Sequence, residues 1–354
     1  MNKNSFYLEI DTKALSHNIE YLRKIKNKNI LPVIKANAYG HGYEIILEEL
    51  LNNNIKNVAV ARLSEASLIL NFNTDIKILV FEDIEDLSIV KNNKNIIMEI
   101  NSISKLKDAI SYGIPTEQMS IKIDLGYARN GIKENEFKDL KNIILYNDFK
   151  FQGIHSHIFS SNYYDGLKNI KIFSDFIEEC GRNKFECIHI QNTAATYNYD
   201  CEVVTHVRVG TAMYGIQEPG YYDRNIIRVG TFLGAVDSIK NIEDLKYIGY
   251  ELKENLEFSF QAKKIAKIKI GYADGFIKRN ENTYCLIKNK EYKILHITMD
   301  TSFVEIDDRV EVDDIVEIYH KPENLKDKVG LHIYELLTLI SPIRVYRIKK
   351  GEIC

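Results

Sequence analysis

Alternation between short apolar runs and helical stretches constrains the fold of this chain more than any other feature. Eight runs rich in β-forming residues occur within about 200 residues, a length that suits a (β/α)8 barrel. They lie at 31–34, 57–61, 76–81, 95–99, 119–124, 150–155, 186–190 and 207–209. Most are separated by stretches with helical periodicity, which predicts an α/β fold, either such a barrel or a doubly wound open sheet. No GxGxxG motif follows the first strand, which disfavours the dinucleotide-binding form of the open sheet.

The pattern changes after about residue 225, where helical periodicity thins and β-like runs dominate. These runs lie at 228–238, 258–270, 284–287, 292–298, 302–306 and 315–319. Charged turns separate them, and 333–340 is compatible with a short helix before a final strand. We therefore predict a barrel over residues 1–225 and a mostly β domain over 226–354. A further strand is predicted at 5–10, before the eight runs. The sequence leaves open whether it packs with the second domain.

Composition places the chain among ordinary globular proteins. Of its 354 residues, 45% are hydrophobic and 27% are charged, and the formal net charge of −3 gives no reason to expect nucleic acid or a membrane surface as partner. Residues 1–5 lack the apolar core of a signal peptide, so the cytoplasm is the expected location. The five cysteines form no CxxC pair, which favours reduced thiols. Cys187 and His189 share a strand face, but no second such pair completes a metal site, and no metal is expected.

Polar residues follow the predicted strands at the points where the strands end. Lys35 ends the first apolar run, and partial desolvation of such a lysine favours its neutral, nucleophilic form, which suits Schiff-base chemistry. Others lie at the ends of the fifth to eighth strands or just after them: Lys122, Asp124, Arg129, His155, His157, Asn192, Thr193, Arg208 and Gly210. Barrel active sites gather at these strand ends, and the loops after strands seven and eight commonly bind phosphate. Singly, each residue also suits a helix cap, a surface ion pair or a core position; together they predict a site.

Nine strings along the chain resemble motifs of the alanine racemase family. KANAYGHG (35–42) resembles the pyridoxal-phosphate lysine motif of that family, and the other strings follow in the family's order and approximate spacing. They are EIDTKALSHNIEYL (9–22), VAVARLSEA (58–66), KIDLGYARNG (122–131), GIHSH (153–157), NTAAT (192–196), RVGTAMYG (208–215), IGYADG (270–275) and MD (299–300). The resemblance covers nearly the whole chain. It implies a barrel that binds pyridoxal 5'-phosphate, a C-terminal β domain, and a homodimer whose active sites are shared between subunits.

Matched position by position, the resemblance also implies roles for individual residues. Lys35 resembles the lysine that holds the cofactor as a Schiff base and serves as one catalytic base, and Tyr272 resembles the opposing base, supplied by the partner subunit. The implied cofactor contacts are Tyr39, His157, Asn192, Thr193, Arg208, Gly210 and Thr211, with Arg208 facing the pyridine nitrogen. The implied substrate contacts are Arg129 and Met299, and Lys122 resembles a lysine that is carbamylated in many members and orients Arg129.

Some positions depart from the family pattern. Leu125 and Tyr127 stand where the family usually has Thr and Met, and Val209 stands where it has Pro. Ile343 occupies the position of a phosphate-contacting tyrosine, and Tyr346, three residues away, is a weak substitute. These changes bear on substrate identity and cofactor affinity more than on reaction type.

The residues that the resemblance assigns are those that racemisation requires. It needs an electron sink for the α-carbon, which the cofactor supplies, and two proton-transfer groups on opposite faces of the substrate. We therefore expect an isomerase that interconverts L- and D-alanine by a two-base mechanism and supplies D-alanine for cell-wall precursors. One alternative is a racemase of serine or a larger amino acid. Another is a non-catalytic pyridoxal-phosphate-binding barrel protein, a class that lacks the second domain and Tyr272.

Overall fold

The first half of the chain forms a closed barrel of eight parallel strands. The computed structural model describes residues 5–72, 75–126, 130–158, 162–217, 221–259, 262–322 and 325–352, and its barrel strands overlap all eight predicted runs. The strands of this half are β1 (Tyr7–Ile10), β2 (Asn29–Pro32), β3 (Asn57–Val60), β4 (Lys77–Val80), β5 (Ile96–Ile100), β6 (Met119–Asp124), β7 (Ile132–Lys133), β8 (Phe151–His155), β9 (Phe185–His189) and β10 (His206–Val209). All except β1 and the short β7 build the barrel.

Backbone pairing closes the barrel into a ring. Parallel pairing runs from β3 through β4, β5, β6 and β8 to β9, and β10 pairs with β2. A bridge between Val33 and Ala59 joins β2 to β3, and the Arg208 N–H donates to the Gln191 carbonyl at 2.9 Å, which joins β10 to the end of β9. The ring confirms the predicted barrel and excludes the open sheet.

Helices follow most barrel strands, and α1 shows why they form where they do. Asp11 caps it by accepting from the Ala14 N–H at 2.9 Å, and Leu15, Ile19 and Leu22 are buried at helical spacing. The helices of this half are α1 (Thr12–Lys26), α2 (Lys35–Tyr39), α3 (Tyr43–Asn52), α4 (Leu63–Leu70), α5 (Leu87–Asn92), α6 (Ile103–Tyr112), α7 (Phe137–Tyr146), α8 (Tyr163–Cys180) and α9 (Thr193–Asn198). None of the helices in the described part of the chain is long and apolar enough to cross a membrane.

The interior of the barrel changes from apolar to polar along its axis. The apolar layer consists of Leu31, Val33, Ala59, Leu79, Ile97 and Cys187. Closer to the carboxyl ends of β5, β6 and β9, the buried side chains are Glu99, Lys122 and His189. Parallel register sets Lys122 beside His155 and His155 beside His189. The polar layer therefore lies toward the carboxyl ends of the strands, where barrel active sites form.

The second half of the chain is mostly β, as predicted. Its elements are β11 (Gly230–Asn241), β12 (Tyr247–Ile248), β13 (Glu251–Leu252), β14 (Lys264–Ile268), β15 (Tyr284–Ile287), β16 (Lys290–Ile297), β17 (Ser302–Ile306), β18 (Ile315–Ile318), α10 (Leu325–Val329), α11 (Ile333–Leu339) and β19 (Tyr346–Lys349). Eight strands form one sheet in the order β14-β17-β16-β15-β18-β11-β1-β19, and β14 also pairs with β11. Strand β1 thus pairs with β11 and β19 and lies in the sheet of this second domain.

Lys35 begins a turn of unusual hand. Ala36, Asn37, Ala38 and Tyr39 all have φ between 52° and 55°, so α2 is a left-handed turn. Each L-residue in that conformation costs about 1–2 kcal/mol. The sequence gives no sign of this hand, because Ala and Tyr carry no signal for positive φ. Strain of this kind concentrates at functional sites and has to be held by its surroundings.

Contacts from both domains hold the left-handed turn. The Glu65 carboxylate accepts from the Ala36 N–H at 2.5 Å and from the Ala61 N–H at 2.8 Å. From β19, Arg347 donates to the Gly40 carbonyl at 3.0 Å. The strained turn therefore depends on the second domain as well as on the barrel.

Replacing Gly40 by alanine should destabilise the protein more than the same change at Gly330. Both glycines have positive φ, 83° and 75°, so both variants carry the left-handed penalty. A Cβ on Gly40 would lie 2.1 Å from the Leu337 carbonyl oxygen of α11, whereas nothing lies within 4 Å at Gly330. Displacing α11 should add about 1–3 kcal/mol. Urea unfolding of the two variants measures the difference, and equal losses would contradict the close packing of α11 on the turn.

Candidate active site

A cavity of about 440 Å³ lies at the carboxyl ends of the barrel strands. The residues selected from the sequence that line it are Lys35, Tyr39, Lys122, His157, Asn192, Thr193, Arg208, Gly210 and Thr211. Neither Tyr272 nor Met299 lines this cavity in its own chain. Arg129 lies outside the described residues, as does Tyr127. One chain therefore gathers the residues expected to hold the cofactor, without the second base.

In the cavity the Arg208 guanidinium donates to a backbone carbonyl and to two histidines. Its Nη1 donates to the Ser156 carbonyl at 3.1 Å and to His189 Nδ1 at 2.8 Å, and its Nη2 donates to His157 Nδ1 at 2.8 Å. Its guanidinium also lies 5.7 Å from the centre of the Phe81 ring. Burial, with the charge of Arg208 nearby, holds the pKa of His189 well below its usual value. Because arginine only donates, both histidine nitrogens accept, and these contacts orient the guanidinium without cancelling its charge.

Hydroxyl and backbone donors converge at another side of the cavity. The Gly210 N–H donates to Thr193 Oγ1 at 3.3 Å, and a Cβ on Gly210 would come within 2.7 Å of the Tyr39 hydroxyl. Glycine at this position therefore lets the tyrosine hydroxyl approach the backbone. Asn192 caps α9 by accepting from the Ala195 N–H at 2.9 Å, which fixes the start of that helix beside the cavity. Hydroxyls and N–H groups arranged in this way suit a phosphate.

Tyr272 and Met299 lie together on the β domain. The Tyr272 N–H donates to the Thr298 carbonyl and the Ala273 N–H donates to the Met299 carbonyl, both at 3.0 Å. Tyr272 and Met299 are 37% and 46% exposed. These two predicted residues thus share a surface of the second domain that is separate from the cavity lining of the same chain.

Arg344 ties the two segments of this surface to each other. Its Nε donates to Asp274 at 2.7 Å and its Nη2 donates to Asp300 at 2.6 Å. Asp274 is buried and also accepts from the Gly271 N–H at 2.8 Å. The turn that carries Tyr272 is therefore fixed against the segment that carries Met299.

Sequence reasoning missed several residues of the cavity. Phe81, Glu99 and Asn130 also line it. His189, which accepts from Arg208, has a sequence signal only as a metal-pair candidate with Cys187. A usable signal existed for Glu99, because a charged residue stands inside the apolar run IIMEI (96–100). No comparable signal existed for Phe81, since an aromatic residue after a strand is ordinary core material.

The fold and the cavity together define a two-domain barrel protein with a lysine, an oriented arginine and an anion cradle at its strand ends. Two family models match the chain: alanine racemase, N-terminal domain, over residues 10–218, and alanine racemase, C-terminal domain, over residues 229–349. The chain therefore belongs to the alanine racemase family of isomerases.

Individual relatives match over almost their whole length. The alanine racemase of Methanococcus maripaludis is 28% identical, with 98% of this chain and 99% of that protein covered. The structure of alanine racemase from Bacillus anthracis with bound L-Ala-P matches with a TM-score of 0.82 at 23% identity, covering 99% of this chain and 96% of that chain. Alanine racemase from Bartonella henselae with covalently bound pyridoxal phosphate matches with a TM-score of 0.79 at 21% identity, covering 98% and 99%. The structural matches show a shared fold.

Proposed function

We propose that this protein is a pyridoxal-phosphate-dependent racemase that interconverts L- and D-alanine. The observation that carries the proposal is the convergence of Lys35, the histidine-flanked Arg208 and the donors around Gly210 on one cavity. Membership of the alanine racemase family supports the reaction type. The name of the Methanococcus relative and the bound groups of the two solved structures support the substrate and the cofactor.

The residues of the cavity fit pyridoxal 5'-phosphate. Lys35 would bond covalently to its aldehyde carbon, Arg208 would face its pyridine nitrogen, and Tyr39, Thr193 and the backbone at Gly210 would hold its phosphate. The close approach of the Tyr39 hydroxyl to Gly210 is the feature of this structure that best suits a phosphate cradle. When bound, the cofactor supplies an electron sink for the charge that develops on the α-carbon of the substrate. A charged Arg208 disfavours protonation of the pyridine nitrogen.

Lys35 and Tyr272 would move the α-proton on opposite faces of the substrate. Lys35 Nζ takes the proton from one face or returns it there, and the Tyr272 hydroxyl does so on the other, so that removal on one side and return on the other inverts the centre. Arg129 and the Met299 backbone N–H would bind the substrate carboxylate. Since neither Tyr272 nor Met299 lines the cavity of its own chain, both would come from the partner subunit.

An apolar surface around Tyr272 supports a homodimer. The Ser341 N–H donates to the Asp274 carbonyl at 3.0 Å, which places the segment after α11 against the turn of Tyr272. The exposed apolar side chains around this turn are Tyr272, Met299, Leu339 and Ile343, the last 89% exposed. Apolar side chains grouped around a functional turn are typical of an interface. We propose that this surface covers the cavity of a second copy of the chain.

A chiral assay of amino-acid products tests the proposed reaction. The purified protein would be incubated with pyridoxal phosphate and with each enantiomer of alanine, serine, lysine and arginine. We expect alanine to be racemised fastest, and both of its enantiomers to reach the same mixture. Faster turnover of another amino acid would reassign the substrate, and bound cofactor without turnover of any amino acid would favour a non-catalytic cofactor-binding protein.

A further inference from the structure

A buried carboxylate lies among the cations of the cavity. Glu99 is 3% exposed and lines the cavity, although the rest of β5 is apolar. A carboxylate so buried is costly unless its oxygens accept hydrogen bonds. Glu99 Oε1 accepts from Asn130 Nδ2 at 2.8 Å, and Oε2 lies 2.9 Å from His155 Nε2. Both oxygens of Glu99 therefore have a partner, and the carboxylate is held in one position in the site.

Glu99 fixes the orientation of His155. Burial, together with the charges of Lys122 and Arg208, holds the pKa of His155 well below its usual value, so the ring is neutral and carries one proton. A carboxylate only accepts, so that proton lies on Nε2 and is donated to Glu99. The other ring nitrogen, Nδ1, then accepts from Ser120 Oγ at 3.0 Å. Both edges of the His155 ring are thus held.

His155 in turn supports the partner of Arg208. The His155 and His189 rings stack with centroids 4.8 Å apart and planes 7° apart. His189 Nδ1 accepts from Arg208, while its Nε2 has no hydrogen-bond partner among the described residues. The stack on His155 and the bond from Arg208 therefore hold the His189 ring. A tilt of the His155 ring would displace His189 and, through it, the Arg208 guanidinium.

We propose that Glu99 is a positioning residue that aligns two sides of the site, Arg208 through the stacked histidines and Asn130, which itself lines the cavity, through a direct hydrogen bond. The proposal rests on the proposed function, which assigns Arg208 to the cofactor and this cavity to the substrate. In this proposal Glu99, His155 and His189 act by holding one another in position, and they neither bind a metal nor transfer a proton.

Glu99→Gln tests the proposal, with Glu305→Gln as a matched control. Glu305 is also buried, 8% exposed, and accepts from the Ser259 N–H at 3.0 Å in the β domain, away from the cavity. Asn130 and His155 donate to different oxygens of the Glu99 carboxylate, and Glu99→Gln replaces one of those oxygens by an NH2 group, which donates and cannot accept. We expect kcat to fall about tenfold to a hundredfold, as misplacement of a site commonly does, and KM to rise. Equilibrium dialysis should also show weaker binding of pyridoxal phosphate by the apo-protein, with no such changes in Glu305→Gln.

Two further variants separate the two sides of the site. His155→Gln should reproduce the loss in kcat and cofactor affinity, and Asn130→Ala should reproduce the rise in KM. If Glu99 acts through His155, the double variant should lose no more kcat than Glu99→Gln alone. Additive losses, or a Glu99→Gln variant that is less stable but has normal kcat, KM and cofactor affinity, would overturn the proposal.

Ser120→Ala provides the same test if Glu99→Gln does not fold. It removes the donor on the other edge of His155 and should lower kcat and cofactor affinity in the same direction, and unchanged values would overturn the proposal. If the wild-type protein racemises alanine and Glu99→Gln does so equally well, the proposal for Glu99 is wrong and the proposed function stands. A wild-type protein that neither binds the cofactor nor racemises alanine would remove the proposed function, and the role of Glu99 with it.

Discussion

Lys35→Ala is expected to abolish both the covalent attachment of the cofactor and racemisation. Lys35 Nζ lies 5.9 Å from the centre of the Tyr39 ring and lines the cavity, so the amine is within the proposed cofactor site. Alanine offers neither the nucleophile nor the proton-transfer group, and the loss in kcat should be about 10³-fold or more. The measurements are the visible absorbance of the lysine-bound cofactor and the rate of enantiomer conversion.

Lys138→Ala is the control for this variant. Lys138 is an exposed lysine on α7 and should show the attachment and activity of the wild type when replaced. In Lys35→Ala the phosphate donors remain, so non-covalent binding of the cofactor should persist. If Lys35→Ala kept the absorbance of the wild type, another lysine would carry the cofactor, and Lys122, which also lines the cavity, would be the first to replace.

Tyr272→Phe should stop racemisation in both directions while the cofactor stays bound. Phenylalanine keeps the ring but removes the proton-transfer group from one face of the substrate, and general acid–base groups contribute about 10²–10⁴-fold. Because Lys35 remains, one enantiomer should still exchange its α-proton with deuterated solvent without inversion. Chiral separation and mass spectrometry of the recovered alanine measure the two processes.

Tyr284→Phe is the matched control for Tyr272→Phe. Tyr284 lies on β15 of the same domain and is 39% exposed, close to the 37% of Tyr272, and its replacement should leave both processes unchanged. Racemisation of both enantiomers at the wild-type rate by Tyr272→Phe would show that the two-base assignment is wrong.

Periodicity in the sequence predicted the fold well because each barrel strand is a short buried run. The run Met119–Asp124 and the capped helix after Asp11 are local features, and local spacing determines them. The placement of β1 was left open, because its partners β11 and β19 lie more than 200 residues away in sequence. Long-range pairing of this kind leaves little trace in a short strand.

The site was predictable only in part. Lys35 and Thr193 follow strands and Arg208 lies near the end of one, so their meeting at one end of the barrel could be inferred from topology. The left-handed conformation of residues 36–39 could not be inferred from the sequence, since contacts from Glu65 and Arg347 hold it. The link from Glu99 through His155 depends on side chains of different strands that meet only when the barrel closes.

Mixing the two inactive variants tests the shared active site most directly. A heterodimer of Lys35→Ala and Tyr272→Phe subunits would contain one site with both substitutions and one site with neither. Random pairing makes half of the dimers mixed, so co-refolded variants should recover about a quarter of the wild-type racemase activity if the protein is a C2 homodimer. A mixture as inactive as either variant alone would contradict the assignment of Lys35 and Tyr272 to one site built by two subunits.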